Sequence, residues 1–522
     1  MSVRFPVALL AVLLPLATGC QAEPSKDTGT DPGTDRGTDD SASGGDVDGD
    51  GYVAPADCDD ADATIHPDAT DLCGDGVDSD CSGLDTRCGF AGEHDLGAAD
   101  AKVYVPHPNS DGGRLIEVGD MTGDSIDDLL VPTLDYEAES GGAWVIAGPV
   151  HGVAAADTVG FFLEGSGVTL GAGRSTGVGD VNGDGIADAG IGAPHAGTGG
   201  DGLYVVLGPI TGDSRLEDAD IHLYGYTETL AGHGSDLADV DGDGIADAVV
   251  GAYAENRGGR TSGAVYVEYG PLASGAIDLT SRADAVLAGV EGDYAGRILR
   301  AGGDHDGDGI GDILIQAPFS SVSAPSAGTI YVVYGPPSGE MDLADADGRL
   351  FGENPSETAG TFLEQGDVDG DGHADALVGT SSAMGGGVVQ VVYGPASGDI
   401  GLGAADIIVR GDGSEQYIGS SVAVDDLDGD GKGDLLVGAA FDTTRATGAG
   451  AAYLFWGLGS GAYAVMDAGA SFIGEAEYDL AGQGVALGDI DGDGFSEVIV
   501  GAPGDDMGGI AAGAIYAYYT GE

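Results

Sequence analysis

The chain is short of positive charge. Only 17 of its 522 residues are Lys or Arg, against 89 Asp or Glu, which gives a formal net charge of −72. This argues against nucleic acid as a partner, because the phosphates would be repelled and no basic stripe offsets the field. A compact fold with this charge repels itself, so the acids either spread over solvent or are neutralised by bound cations.

Aromatic residues and helical patterning are also scarce. Phe, Trp and Tyr make up 6% of the chain, and no stretch shows sustained helical periodicity. The hydrophobic fraction is nevertheless 42%, and glycine contributes 100 residues. This composition is too apolar for a disordered acidic chain, and it predicts an all-β fold with a core of small residues.

The longest hydrophobic run stands at the start of the chain. Residues 1–20, "MSVRFPVALLAVLLPLATGC", contain an apolar run over residues 5–17 and small residues before Cys20. The run is short for a membrane span. Its end resembles a bacterial lipoprotein signal, which implies export, lipid attachment at Cys20 and a place in the cell envelope, in the outer membrane or exposed at the cell surface. An ordinary secretory peptide is the alternative. Residues 21–45 are a flexible linker rich in Asp, Thr and Gly.

Cysteine is rare, and four of the five cysteines lie in residues 46–88. In an exported chain they predict two disulfides with three possible connectivities, among Cys58, Cys73, Cys81 and Cys88. The segment also resembles an Asp/Cys-rich metal-binding motif of bacterial envelope proteins, "DxDGDG…DCDD…CGDGxDxDC". That resemblance implies a cation held by Asp46, Asp48, Asp50, the Tyr52 carbonyl and Asp57. A disulfide knot with surface acids is the alternative.

Residues 89–522 are a repeat array. The motif Asp-x-(Asp/Asn/Thr)-Gly-Asp-(Gly/Ser)-x-x-(Asp/Glu) recurs seven times at intervals of 59 to 65 residues. Short apolar runs bounded by Gly and Asp flank each motif, which indicates a four-stranded antiparallel unit. Seven such units can form an open solenoid or a closed β-propeller. The propeller is favoured, because the last unit stays apolar to its end and can pair with the first.

Each Asp-rich motif has the chemistry of a calcium loop. Acids at positions 1, 3 and 5 converge in a tight turn that Gly at position 6 permits, the carbonyl of position 7 points inward, and the acid at position 9 completes the shell. Ca²⁺ accepts about six to eight such oxygens in flexible geometry. A metal-free turn is the alternative for any single copy, but seven copies would leave many carboxylates without a compensating cation.

The predicted ligands follow from this numbering. In the first three loops they are Asp120, Thr122, Asp124, Asp128; Asp180, Asn182, Asp184, Ile186, Asp188; and Asp239, Asp241, Asp243, Ile245, Asp247. In the last four they are Asp304, Asp306, Asp308, Ile310, Asp312; Asp367, Asp369, Asp371, His373, Asp375; Asp426, Asp428, Asp430, Lys432, Asp434; and Asp489, Asp491, Asp493, Phe495, Glu497. The first loop has Thr122 and Ser125, so we expect it to bind most weakly.

The array resembles the FG-GAP repeats of integrin α-subunit propellers. The matching pieces are Leu170-Gly171, Ala295-Gly296 and Ile418-Gly419 before the loop, and Gly192-Ala193-Pro194 and Gly501-Ala502-Pro503 after it. The resemblance implies a seven-bladed propeller over residues 89–522 with several Ca²⁺ ions in loops on one face. It does not specify a ligand.

Catalytic signatures are weak, and no enzymatic activity is expected. The "GRSTG" stretch of residues 173–177 matches a nucleophile elbow, but it lies in a strand-like run without suggested partners. His195 and His233 are expected in surface turns. The predicted function is recognition or adhesion at the bacterial surface, through the face opposite the metal loops, with an unknown protein or glycan ligand. A lectin-like polysaccharide-binding module is the main alternative, and an accessory part of a polysaccharide-degrading enzyme is a weaker one.

Overall fold

The structure is a computed structural model that describes residues 52, 58, 62–67, 81, 90–134, 141–165, 171–195, 201–381, 386–411 and 416–520. The chain divides into two compact units, Met1–Ala69 and Thr70–Glu522. In the first unit, the Asp62 carboxylate accepts hydrogen bonds from the amide and hydroxyl of Thr64, at 3.1 and 2.7 Å, and forms a turn. The Tyr52 ring stacks on His66 with 5.1 Å between ring centroids.

The second unit is a seven-bladed β-propeller built from seven five-stranded sheets. In each blade the four inner strands are antiparallel, as the repeat pattern predicts. A fifth strand, which the pattern does not predict, pairs in parallel at the outer edge. This outer strand comes from the connection between the third and fourth strands of the next blade. Each blade is therefore hydrogen-bonded to the chain of its neighbour.

The strands are given blade by blade from the channel outwards. Blades 1 to 3 comprise Glu117–Gly119, Asp128–Thr133, Gly142–Ile146, Gly160–Glu164, Ser214–Arg215; Thr176–Gly179, Asp188–Ala193, Gly202–Val206, Ile221–Tyr224, Gly275–Asp278; and Ala231–Ala238, Asp247–Ala252, Ala264–Glu268, Ala285–Ala288, Gly339–Asp342. Blades 4 and 5 comprise Leu299–Gly303, Asp312–Ala317, Thr329–Val333, Gly348–Phe351, Gly398–Gly401; and Phe362–Gly366, Asp375–Thr380, Val388–Val392, Ile407–Arg410, Gly461–Ala464. Blades 6 and 7 comprise Ile418–Asp425, Asp434–Ala439, Ala451–Phe455, Ala470–Ile473, Gly92–Asp95; and Gly484–Gly488, Glu497–Ala502, Ala514–Tyr518, Ala101–Tyr104, Gly152–Ala155.

One helical turn precedes the fourth strand of every blade. The seven turns are Leu96–Ala98, Ala156–Val159, Leu216–Asp218, Leu279–Arg282, Leu343–Asp345, Leu402–Ala404 and Val465–Asp467. The first residue of each turn is buried. These turns are too short to give a helical periodicity in the sequence, so the sequence predicts none of them.

The hydrophobic core lies between adjacent blades. Seven clusters of buried side chains each combine residues of two neighbouring blades, and together they close a circle. Because a blade packs against a neighbour on both faces, every residue of the seven second strands is buried. This explains why their sequences are continuously apolar or small rather than alternating.

The N-terminal part of the propeller closes the ring. Ala101–Tyr104 pairs antiparallel with Ala514–Tyr518 as the fourth strand of blade 7. Gly92–Asp95 pairs in parallel with Ala470–Ile473 as the outer strand of blade 6. The predicted pairing of the last unit with the first is confirmed, and two strands rather than one form the closure.

Candidate functional site

All seven Asp loops join an innermost strand to the second strand of a blade, and they therefore lie at the same end of the channel. Each loop folds around the carboxylate of position 1. In blade 3, Asp239 Oδ1 accepts a hydrogen bond from the Gly242 amide at 2.7 Å, and Oδ2 accepts one from the Gly244 amide at 2.8 Å. The other six loops repeat this pair of contacts, so the sequence pattern specifies one local geometry.

Glycine permits this winding. The glycine of position 6 has a positive φ in six loops, between 84° and 91°, as the sequence predicts. The glycine of position 4 also has a positive φ in all seven loops, between 76° and 81°. In the first loop Ser125 occupies position 6 with a φ of 71°, which is strained for a residue with a side chain. That strain adds a reason to expect the weakest cation binding there.

The carboxylate of position 9 is buried and fixes the base of each loop. Asp247 is fully buried, and its two oxygens accept hydrogen bonds from the amides of Val240 at 2.8 Å and Gly270 at 2.7 Å. Burial raises the pKa of this group in every blade, to about 6 for Asp128, Asp188 and Asp247, about 7 for Asp312, Asp375 and Asp434, and about 8 for Glu497. A bound cation would favour the ionised form instead.

The structure brings the predicted ligands together. Carboxylate oxygens lie within 4.8 Å of one another in the loops of blades 3 to 6, the four copies that keep Asp at positions 1, 3, 5 and 9. The donors are hard oxygens, the type that divalent Ca²⁺ and Mg²⁺ prefer. Of the seven loops, all of which the structure describes, only that of blade 6 contains a Lys or Arg, Lys432. The donor sets therefore fit a divalent cation. The position-7 carbonyls remain predicted ligands.

Neighbouring loops also contact each other, which the sequence does not predict. The Ala187 amide of blade 2 donates to the Asp120 carbonyl of blade 1 at 3.0 Å, and equivalent bonds join other pairs of blades. The position-7 side chain lies over the preceding loop: a Cβ added at Gly123 would stand 3.0 Å from Ile186 Cδ1. A cation in one loop would thus support the loop beside it.

At the opposite end of the channel, residues of all seven blades line a cavity of about 280 Å³, and one of them occupies an equivalent position in each blade. Blades 1 to 4 contribute Arg114, Arg174, His233 and Arg297. Blades 5 to 7 contribute Thr361, Ser420 and Gln483. We call these seven residues the channel ring. Each follows a glycine of positive φ at the start of an innermost strand.

Two predictions from the sequence are wrong at the channel ring. His233 is not a surface-turn residue, because it lies half-buried in the innermost strand Ala231–Ala238. In blade 2 the equivalent of Ala295-Gly296 is Ala172-Gly173 rather than Leu170-Gly171. Ala172 forms an isolated parallel bridge with Gly141, and Ala295 forms the equivalent bridge with Gly263. The spacing from glycine to Asp loop could have identified the ring positions. It could not show that they face the channel.

Other predicted residues are placed as follows. Cys58 and Cys81 are each disulfide-bonded, as predicted. Asp46, Asp48, Asp50, Asp57, Cys20, Cys73 and Cys88 lie outside the described residues. In the "GRSTG" stretch, the Ser175 hydroxyl lies 2.7 Å from the Ser235 hydroxyl and donates to the Gly232 carbonyl at 3.0 Å, so it is held between two blades. The described part of the chain contains no helix with the length and hydropathy of a membrane span.

Comparison with known families agrees with these assignments. Residues 57–85 match the family described as "Putative metal-binding motif". Residues 231–267, 418–455 and 481–518 match the FG-GAP repeat. These three stretches are the inner strands and Asp loops of blades 3, 6 and 7, and the other four blades have the same strand order.

The curated relatives match only part of the chain. Rat phosphatidylinositol-glycan-specific phospholipase D is 31% identical over 154 residues, which are 27% of this chain and 18% of the relative. Integrin alpha-4 of Xenopus laevis is 38% identical over 112 residues, 20% of this chain and 10% of the relative. Human integrin alpha-IIb is 37% identical over 117 residues, 20% of this chain and 11% of the relative. The chain thus spans less than a fifth of the length of each of these relatives.

Proposed function

Because the chain carries FG-GAP repeats folded as an integrin-alpha-like propeller, we propose that it is an extracellular calcium-binding recognition protein. Ca²⁺ in the seven Asp loops braces the blades, and the opposite face binds a protein or glycan ligand. A lipid at Cys20 tethers the chain to the cell envelope. The observation that carries the proposal is the convergence of carboxylate oxygens in the loops of blades 3 to 6, together with the hydrogen bonds that join neighbouring loops.

Binding rather than catalysis is the proposed activity. The integrin relatives and the phospholipase relative share only the aligned part with this chain, so the activity in the phospholipase's name is not transferred here. Ser175, the centre of the elbow-like stretch, is buried and bonded to Ser235 and Gly232. Turnover of polysaccharide or phospholipid substrates by the Ca²⁺-loaded chain, in a broad activity screen, would contradict this part of the proposal.

The metal part is tested by thermal unfolding in EDTA, in Mg²⁺ and in Ca²⁺, with bound ions counted by mass spectrometry. A ligand that binds only the native state stabilises it by about 2.7 kcal/mol per site at a hundredfold excess over Kd. We expect a large upward shift of Tm with Ca²⁺, a smaller one with Mg²⁺, and about one bound ion per filled loop.

A loop variant makes the count specific. Asp308 is the exposed position-5 ligand of blade 4 and accepts a hydrogen bond from the Ile310 amide at 2.9 Å. Asp308→Ala should lose about one ion per chain, whereas Asp345→Ala, an exposed Asp outside the loops, should lose none. If the wild-type chain binds no ions and shows no shift, the Asp loops are solvated turns and the proposal fails.

A further inference from the structure

The channel ring collects positive charge in a chain that has very little of it. Arg114, Arg174 and Arg297 belong to the ring, and Arg300 lies below it in the same cavity. Four of the 17 basic residues of the chain therefore line one space of about 280 Å³. The remaining surface is strongly acidic, so the rim of this cavity, where the ring arginines lie, is a local reversal of the overall charge.

Two of the ring arginines are available to bind a ligand. Most other described arginines pair with carboxylates, as Arg300 does with Glu117 at 2.9 Å and Arg349 does with Asp399 at 2.7 Å. Within the described residues, neither Arg174 nor Arg297 has a carboxylate at ion-pair distance. At the base of the cavity Arg300 faces the carboxylates of Glu117, Glu364 and Asp236. The positive charge that a ligand can meet therefore lies on the ring arginines at the rim.

His233 orients one of these guanidinium groups without adding charge. Arg174 Nε donates to His233 Nε2 at 3.1 Å, and His233 Nδ1 donates to the Arg297 carbonyl at 3.0 Å. Burial, together with the neighbouring Arg174, lowers the pKa of His233 to about 4. The imidazole is therefore neutral at neutral pH. It uses one donor of Arg174 and leaves the terminal nitrogens of that guanidinium to the cavity.

The other half of the ring is neutral and polar. Thr361, Ser420 and Gln483 lie across the channel from the arginines. The Thr361 and Ser420 hydroxyls donate to the Gly379 and Gly482 carbonyls, so Gln483 supplies the amide group that a ligand can meet. Thr176, which also lines the cavity, is 3% exposed, and its hydroxyl has no hydrogen-bond partner among the described residues. A buried hydroxyl without a partner costs stability, and a ligand can satisfy it.

We propose that the channel ring binds an acidic sugar group, with its carboxylate or phosphate on the arginines and its hydroxyls on the opposite half. Guanidinium forks bind planar carboxylates and phosphate oxygens in a bidentate manner. The cavity, of about 280 Å³, is just below the range of small-molecule sites, about 300–1,000 Å³, and is of a size for one monosaccharide unit. The proposal rests on the proposed recognition function, because it names the ligand chemistry of the face opposite the Asp loops.

The experiment measures binding by calorimetry with the full Ca²⁺-loaded chain at low ionic strength. The probes are glucuronate, glucose 6-phosphate, glucose and inorganic phosphate. We expect the two acidic sugars to bind and glucose to bind at least about tenfold more weakly. Arg174→Gln and Arg297→Gln should each weaken acidic-sugar binding by about tenfold or more, and Arg297→Lys should keep part of it. Arg260→Gln is the matched control, because Arg260 is exposed and lies outside the cavity.

The outcomes separate this inference from the proposed function. The inference is supported if the two ring variants lose acidic-sugar binding and Arg260→Gln keeps it. Equal binding of glucose and glucuronate, unchanged binding by the ring variants, or binding of inorganic phosphate alone overturns it. The Ca²⁺-dependent Tm of each variant is recorded on the same sample. If it is normal and no acidic sugar binds, only the inference fails; if Ca²⁺ gives no shift, the metal part of the proposed function fails.

Discussion

Single glycines decide where the functional residues lie. The glycine before each channel-ring residue has a positive φ, and in six of the seven blades it approaches the backbone of a neighbouring strand. At Gly296 the φ is +85°, and an added Cβ would stand 2.8 Å from the Ala264 carbonyl oxygen. The glycine therefore sets the path of the chain into the innermost strand, and the next residue, Arg297, lines the channel as a consequence.

A substitution at Gly296 tests this role. Gly296→Ala should lower the free energy of unfolding by about 2 kcal/mol or more, because it combines an unfavourable φ with a close backbone contact. Gly459→Ala is the matched control: its added Cβ would have nothing within 4 Å, and we expect a change within about 0.5 kcal/mol. Urea unfolding in Ca²⁺ measures both, and similar losses in the two variants would contradict the explanation.

At the scale of elements, the closing strand is the critical one. Ala101–Tyr104 joins residues about four hundred positions apart, and Lys102 within it is buried. Its ammonium group lies 2.9 Å from Asp505 Oδ2 and also pairs with Glu475. The Tyr516 hydroxyl, with one proton to donate, lies 2.8 Å from Glu475 Oε2 and 3.0 Å from Asp505 Oδ2. Burial alone would lower the pKa of Lys102, but the hydrogen bonds to these acids outweigh it and raise the pKa.

Removing this cation should open the closure. Lys102→Ala leaves the buried Asp505 and the partly buried Glu475 without their cation, so we expect a loss of about 3–5 kcal/mol. Arg349→Ala, which breaks a more exposed pair with Asp399, should cost about 0–1 kcal/mol. The comparison is made by urea unfolding and by proteolysis of the N-terminal strand. If Lys102→Ala is as mild as the control, strand pairing and hydrophobic packing hold the ring closed without the ion pair.

On the scale of the whole molecule, a charge cluster joins four blades across the channel. Arg300 of blade 4 lies 2.9 Å from Glu117 of blade 1, 3.1 Å from Glu364 of blade 5 and 3.9 Å from Asp236 of blade 3. Three carboxylates face one guanidinium, so the cluster carries excess negative charge. Burial raises the pKa of Asp236 to about 7, although the positive charge of Arg300 acts to lower it.

This raised pKa predicts a pH dependence. Between the unfolded value near 3.8 and about 7, the native state holds a proton on Asp236 that the unfolded chain has released. The contribution of Asp236 to the free energy of unfolding is therefore fully present at low pH and is lost as the pH rises through about 7. In saturating Ca²⁺, Asp236→Asn should lose less stability than wild type between about pH 5 and about pH 8. Equal slopes for the two proteins in urea titrations would show that Asp236 does not titrate in this range.

Much of the fold and of the metal loops could be predicted from the sequence because their determinants are local. The Asp and Gly spacing within nine residues specifies each loop, and its sevenfold recurrence predicts the blades. The fifth strand of each blade, the bonds between loops such as Ala187 to Asp120, and the place of His233 could not be predicted. Each of these depends on which blades become neighbours.

The sequence by itself determined that this is an acidic, glycine-rich repeat protein with oxygen-rich loops, since composition and short spacings are properties of the chain. Only the tertiary structure decided which strands close the ring and what lines the channel. Lys102 meets Asp505, 403 residues away, and Arg114, Arg174 and Arg297 meet in one cavity because ring closure brings equivalent positions of separate blades to a common axis. No local pattern records contacts of that range, because they follow from the number of blades and the angle between them.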